Sequence, residues 1–151
     1  MAPGAAELVA DVGQAIGRIG VRPFEPRDAA RWDAFVQRCP QATFFHRVGW
    51  REILEDVFRH RPHYLIAERK GEISGVLPLA EVRSLVFGKA LVSLPFCVYG
   101  GPAADDGDTE RALVTAAAEL ARSLGVDYLE LRNRTAKCDG WHFEVLSVAV
   151  L

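Results

Sequence analysis

No stretch of the sequence approaches the ~20 consecutive apolar residues that a helical membrane span requires. The first 19 residues lack a basic start, and Glu7, Asp11, Gln14 and Arg18 interrupt their apolar positions, which is not the pattern of a secretory signal. Three cysteines, Cys39, Cys97 and Cys138, are odd in number and far apart, with no C-x-x-C pair, so neither a disulfide framework nor a zinc site is expected. His46, His60, His63 and His142 are scattered, and none is paired with a Ser or Cys at a motif spacing, which leaves no triad and no metal site. Charge of one sign is lacking too. Eighteen Lys and Arg stand against 20 Asp and Glu, and the net charge of -2 gives no general attraction to a phosphate backbone. Internal repeats and low-complexity tracts are absent. A cytoplasmic protein without metal is the expectation.

What is present suits one compact domain. Half of the 151 residues are apolar and a quarter charged, and a chain of this length buries about 70% of the surface exposed by its unfolded form. Residues 1–18 read as a loose arm, because Gly13 and Gly17 weaken the helical spacing of Leu8, Val9, Val12, Ala15 and Ile16. A short edge strand follows at 19–24, ended by Pro23 and Pro26. Ala29, Trp32, Phe35, Val36 and Cys39 mark the apolar face of a helix over 28–39 that Pro40 stops. Trp50, Ile53, Leu54, Val57 and Phe58 mark a second helical face over 48–58, and the linker between the two helices is unusually aromatic, with Phe44, Phe45 and His46.

The run HYLIAER (63–69) reads as a strand, Lys70-Gly71 as a tight turn, and 72–84 as the return strand, interrupted near Pro78. Glu81 and Arg83 are expected to be exposed partners on that strand. After a turn at 87–89, residues 90–98 are apolar enough for a strand covered on both faces, and Gly100-Gly101 lead out through a turn in which glycine permits positive φ. Asp105, Asp106, Asp108 and Glu110 open a helix over 109–124 that Gly125 ends, and 126–131 is a last strand. Strand, two helices, three strands, helix, strand is the order of an α/β domain with helices packed on a mixed, mostly antiparallel sheet.

That order is similar to the acetyltransferase-like (GNAT-like) fold. Five strings add to it in sequence: FFHRVGWREIL (44–54), GVLPLAEVRS (75–84), FGKALVSLPF (87–96), YGGP (99–102) and YLELRNR (128–134). Together they resemble the first half of FemAB-related proteins, within the subgroup associated with PEP-CTERM/exosortase exopolysaccharide systems. The resemblance spans about residues 20–135 and assigns 19–135 to one GNAT-like domain, with 136–151 as an incomplete C-terminal segment. It implies an aminoacyl or peptidyl transferase with two copies of the fold, of which this chain holds the first. The acceptor would be a cell-envelope amine. The donor would be an aminoacyl-tRNA, met through a second half-domain in the same gene or a separate chain. A chain holding one half is expected to be inactive alone, whether by truncation, a shifted frame or a split gene. The alternatives are a noncatalytic binding or scaffold module and a small stand-alone N-acetyltransferase.

By the same resemblance, Arg47, Trp50, Tyr99, Arg132 and Arg134 line the acceptor groove, where guanidinium forks suit phosphate and carboxylate. Read from the residues alone, Trp50 belongs to the core face of its helix, and Arg132 to Arg134 fit a solvated turn equally well. Some family members carry a lysine two residues after the tryptophan, and here that place holds Glu52. His46 is a candidate base for an attacking amine, against the plainer role of a hydrogen-bonded packing residue. Relatives of this fold hold coenzyme A pyrophosphate on a glycine-rich turn opening a helix. Here Pro102 and three aspartates occupy that place, so coenzyme A is not expected as a cofactor.

Overall fold

The computed structural model describes residues 18–86, 88–97 and 99–133, together with the strand Ser147–Val150. Residues 1–17 of the expected arm and most of the segment at 136–151 therefore lie outside the described residues. So do Arg134, Cys138 and His142.

Among the described residues the elements follow in order: β1 (Ile19–Pro23), α1 (Ala29–Arg38), α2 (Gly49–Asp56), β2 (Arg61–Pro62), β3 (Leu65–Arg69), β4 (Glu72–Leu77), β5 (Leu79–Ser84), β6 (Gly88–Ser93), β7 (Ala103–Ala104), α3 (Gly107–Leu124), β8 (Tyr128–Leu131) and β9 (Ser147–Val150). Short 3-10 turns at Pro26–Asp28 and Phe44–His46 lead into α1 and α2. One sheet has the order β1-β3-β4-β7 and the other β2-β5-β6-β8-β9. Strands β4 and β5 form one run of chain that changes sheets at Pro78, where the missing N–H breaks the ladder. The expected hairpin turn is present: Lys70 and Gly71 both take positive φ, 52° and 81°, which matches the twist of β3 and β4. All pairings are antiparallel except β6 with β8, which are parallel because α3 carries the chain back between them.

The sheet layer is covered on both faces, and the period of two along its strands shows why. On β3, Ile66 faces one core, with Trp32 and Phe35 of α1, while Leu65 and Ala67 face the other, with Leu113, Ala117 and Ala121 of α3. Helix α3 lies close because its inward row is small, and Gly75 of β4 makes room for it. A Cβ at Gly75 would lie 2.7 Å from Thr109 Cγ2 and 2.9 Å from Leu113 Cδ1. Both ends of α3 are sealed as its sequence requires: the Asp106 carboxylate accepts from the Thr109 N–H at 2.8 Å, and Gly125 takes the left-handed C-cap.

Helix α2 departs from expectation. Of the five apolar positions expected on one face over 48–58, only Leu54 is fully buried, while Ile53 and, past the helix end, Val57 and Phe58 are exposed and Trp50 is half-buried. The main element beside it is the two-residue strand β2, too short to cover a whole helical face. Glu81 departs in the opposite sense. It is buried, with Arg83, Lys89 and His63 gathered on its carboxylate at 2.9, 3.3 and 3.4 Å.

At the other end of the sheets, Arg22 of β1 forks onto Asp28 (2.7 and 2.8 Å) and onto Glu68 of β3 (2.9 and 3.2 Å). Hydrogen bonds from Arg22 outweigh the burial of Asp28 and hold its carboxyl at about 2. A carboxyl lowered by folding stabilises the protein above its unfolded value, and that stabilisation is lost as pH falls toward the folded value. Asp28→Asn should therefore cost about 3 kcal/mol at neutral pH in urea denaturation, since it strands a fork on a half-covered arginine. The deficit relative to the parent should shrink as pH drops from about 4 toward 2. In a separate test of the close helix packing, Gly75→Ala should destabilise by roughly 1–3 kcal/mol, the range of an overpacked core.

Candidate functional site

The parallel pair β6 and β8 stays in register through Ala90–Tyr128, Leu91–Leu129 and Val92–Glu130, and then parts. Just past the end of β8, the backbone N–H of Arg132 goes to the Ser93 side chain at 2.8 Å instead of to a strand carbonyl. The chain leaving β6 turns away through Leu94 and Phe96, both at positive φ (45° and 71°), with the Cys97 N–H closing back on the Leu94 carbonyl at 3.1 Å. Into the gap comes Gly100-Gly101, whose two N–H groups both donate to the Arg132 carbonyl at 3.0 Å.

These glycines were expected to supply positive φ, and neither does. They are small for a different reason. A Cβ on Gly100 would sit 2.5 Å from Leu94 Cβ, and one on Gly101 would sit 2.1 Å from Asn133 Oδ1. Close approach of three backbone segments is the constraint.

The gap opens into a cavity of about 350 Å³ lined by Pro40, Gln41, His46, Tyr99, Gly100, Gly101, Pro102, Glu110, Arg132 and Asn133. Arg132 is tied down: its Nε donates to Glu130 at 2.7 Å and its Nη1 to the Cys97 carbonyl at 2.9 Å. Tyr99 is 37% exposed at the cavity, and its carbonyl accepts from the Thr43 hydroxyl at 3.4 Å. Cationic Arg132 and anionic Glu110 thus stand in one hollow with a phenol, an arrangement suited to a zwitterionic or peptide-like ligand.

His46 is the hinge between this cavity and the aromatic turn. Its Nδ1 accepts from the Thr43 N–H at 3.0 Å, which assigns the ring proton to Nε2, and Nε2–H donates to the Gly101 carbonyl at 2.8 Å. Both nitrogens are engaged, so the packing role is the one His46 performs here. The Trp32 indole donates to the His46 carbonyl at 2.6 Å, which fixes the same turn to α1.

Of the five groove residues inferred from sequence, Tyr99 and Arg132 meet in the cavity. Arg47 and Trp50 do not line it. Arg47 pairs with Asp33 at 3.4 Å, and Trp50 packs against Phe45 (centroids 5.4 Å apart) on the outer side of the 3-10 turn. Arg134 lies outside the described residues. Gln41, Glu110 and Asn133 line the cavity without having been singled out as a site. Glu110 and Asn133 lie in segments whose sequence reads as a helix start and a turn, and Gln41 sits in a linker with no motif. Among the described residues, no group of three His, Cys, Asp or Glu side chains could hold a metal ion.

The turn before α3 bears on coenzyme A. Pro102 has no N–H, the Asp105 N–H donates to the Ser74 carbonyl at 2.8 Å, and the Asp106 carboxylate occupies the Thr109 N–H. Arg38 and Arg69 pair with Asp105 and Asp106 at 3.0 and 2.8 Å. Two of the N–H donors at that turn, those of Asp105 and Thr109, are thus taken, and carboxylates stand where a diphosphate would add like charge.

Burial pushes the His46 pKa below its ordinary value, and burial acts on His60 in the same direction. The unfolded chain, titrating near 6.5, then binds protons that the folded chain refuses. Stability should fall as pH drops from about 7.5 to about 5.5. The urea midpoint measures it, and His46→Gln should give a lower but flatter profile.

No protein-family profile matches the chain, and no curated protein matches it in sequence. Solved structures do. A GNAT family acetyltransferase from Brucella melitensis, in complex with acetyl-CoA, superposes with a TM-score of 0.63 at 14% identity, over 89% of this chain and 88% of that one. A GNAT family acetyltransferase from Staphylococcus aureus gives 0.54 at 12% identity, over 83% of this chain and 97% of that one. FemX gives 0.53 at 17% identity, over 77% of this chain and 27% of the FemX chain. The Brucella complex runs against the expectation that coenzyme A has no place here, since a protein of similar shape is solved with it. Antiparallel sheets covered by helices, with a parallel pair parting over a cavity, give this chain the GNAT-like fold.

Proposed function

We propose that this chain is the acceptor-binding, acetyltransferase-like half of a FemAB-type transferase. It would act in the cytoplasm on an amine of a cell-envelope precursor, with an aminoacyl-tRNA as donor and a second domain of similar fold completing the reaction. The single observation that carries the reading is the cavity between the parted strands. It brings Tyr99, Glu110 and Arg132 together, while at the turn where acetyltransferases hold phosphate the Asp106 carboxylate takes the Thr109 N–H. Support comes also from FemX, of which the matched region makes up 27%, and from the five ordered strings in the sequence.

In this reading Arg132 receives an acidic group of the acceptor, Glu110 draws its ammonium group, and Tyr99 covers it. Bond formation needs a base to take the amine's proton, and His46 is spent on Thr43 and Gly101. That base belongs to the second domain, Arg134 extends the groove by resemblance, and association with PEP-CTERM/exopolysaccharide systems sets the acceptor. A second reading, a stand-alone N-acetyltransferase using acetyl-CoA, is favoured by the Brucella complex.

Amine acylation measured with a panel of charged tRNAs should be absent for the chain alone and present when a second acetyltransferase-like domain is supplied. Glu110→Gln should then raise the acceptor KM about tenfold with a smaller change in kcat, because it removes uniform binding. A stable complex that transfers nothing from any donor would replace this reading with the noncatalytic scaffold. Calorimetry with acetyl-CoA separates the second reading: no saturation is expected, and binding near 1 μM, roughly -8 kcal/mol, would install it.

A further inference from the structure

A second hollow, of about 500 Å³, lies away from the parted strands, between the chain that leaves α2 and the edge of β5. Phe58, Arg59, His60, Arg61, Glu81 and Arg83 line it, and it shares no residue with the cavity at Arg132.

Its chemistry is two-sided. One side is a stack of rings: Phe58 on Phe96 at 4.4 Å between centroids and 24°, and His60 nearly parallel to Phe96 at 5.7 Å and 7°. Phe96 is 64% exposed and Phe58 38%, so the stack is open to solvent. The other side carries three guanidinium groups against one carboxylate. That carboxylate, Glu81, is buried and already answered by Arg83, Lys89 and His63. Its effect is to aim Arg83, whose Nε and Nη2 both bond Glu81 Oε1 at 3.0 and 2.9 Å while the side chain stays 72% exposed. Arg59 and Arg61 have no ion-pair partner among the described residues.

Backbone strain sits at the same place. Arg59 and Phe96 both hold positive φ, 56° and 71°, where glycine would be unstrained, and each presents a large side chain to this region. Strain of this kind persists where the surrounding structure enforces it, and it gathers at binding sites.

We propose that this hollow is a binding site for a planar ring bearing a phosphate group. The ring would lie against the Phe58–His60 side and the phosphate would be forked by Arg59, Arg61 and Arg83. A guanidinium matches two phosphate oxygens at once, and an open aromatic face takes a flat ring at small entropic cost. The buried Glu81 acts as a positioning residue for Arg83. The site stands independently of the transferase reading, since none of its residues belongs to the cavity at Arg132.

Phenyl phosphate is the minimal probe, with inorganic phosphate, benzoate and uridine monophosphate as comparison arms, followed by heteronuclear NMR on the intact chain. Saturable shifts should cluster at residues 58–61, 81–83 and 96. Binding should weaken at least about tenfold in Arg61→Gln, a change on the exposed strand β2 that leaves the core untouched. Inorganic phosphate should bind several-fold more weakly than phenyl phosphate, and Phe58→Leu should erase that difference. Benzoate as tight as phenyl phosphate would make the anion a carboxylate and overturn the phosphate assignment. Uridine monophosphate at least as tight as phenyl phosphate would identify the ring as a nucleobase. No saturation by any probe up to about 20 mM, or ring-independent binding that Arg61→Gln leaves unchanged, would overturn the site.

Discussion

One carbonyl oxygen organises the candidate site. Arg132 turns its C=O toward two successive glycine N–H groups and its own N–H toward the Ser93 hydroxyl, and in doing so ends the parallel ladder between β6 and β8. A ladder that continued would have filled the space with backbone. Substituting a side-chain hydroxyl and a glycine loop keeps the N–H and C=O of Arg132 paired while leaving room for a ligand between the strands. The rest depends on that parting. His46 can reach the Gly101 carbonyl, Tyr99 can stand at the cavity, and Glu110 on the first turn of α3 can face Arg132.

Much of the fold was legible because local chemistry and tertiary structure agree. Lys70-Gly71 asks for a hairpin turn and makes one. Pro78 interrupts a strand, and the chain changes sheets there. Asp106 and Gly125 bracket a helix whose N-cap and C-cap they become. Such features are decided within a few residues, which is the range over which sequence can be read. The α2 face was misread because helical periodicity states which residues share a side and says nothing of whether an element lies opposite. Glu81 was misread for a related reason: alternation along β5 placed it, but the two cations and the imidazole that make its burial tolerable come from residues 83, 89 and 63 and converge only in the folded sheet.

The candidate site was half visible. YGGP and Arg132 were identified by resemblance, and the cavity does form between them, yet the glycines serve close approach and not positive φ. Gln41, Glu110 and Asn133 come from three separate segments with no spacing in common, so no linear pattern could have joined them. Arg47 and Trp50 sit on the far side of a turn whose inner side is His46. Arg47 directly follows His46, and a 3-10 turn rotates successive side chains by about a third of a turn, which is enough to separate facing the cavity from facing away.

Strands β1 and β2, each at one edge of its sheet, include Pro23 and Pro62. A proline on a rim strand withholds the N–H that a newcomer's backbone would need, so these borders discourage growth of the sheets by strand addition. A macromolecule that meets the protein at Pro23 or Pro62 finds no backbone N–H there and leans the more on side chains. The selectivity of such an encounter would then be written in replaceable surface residues, and it could diverge between relatives without disturbing the scaffold beneath.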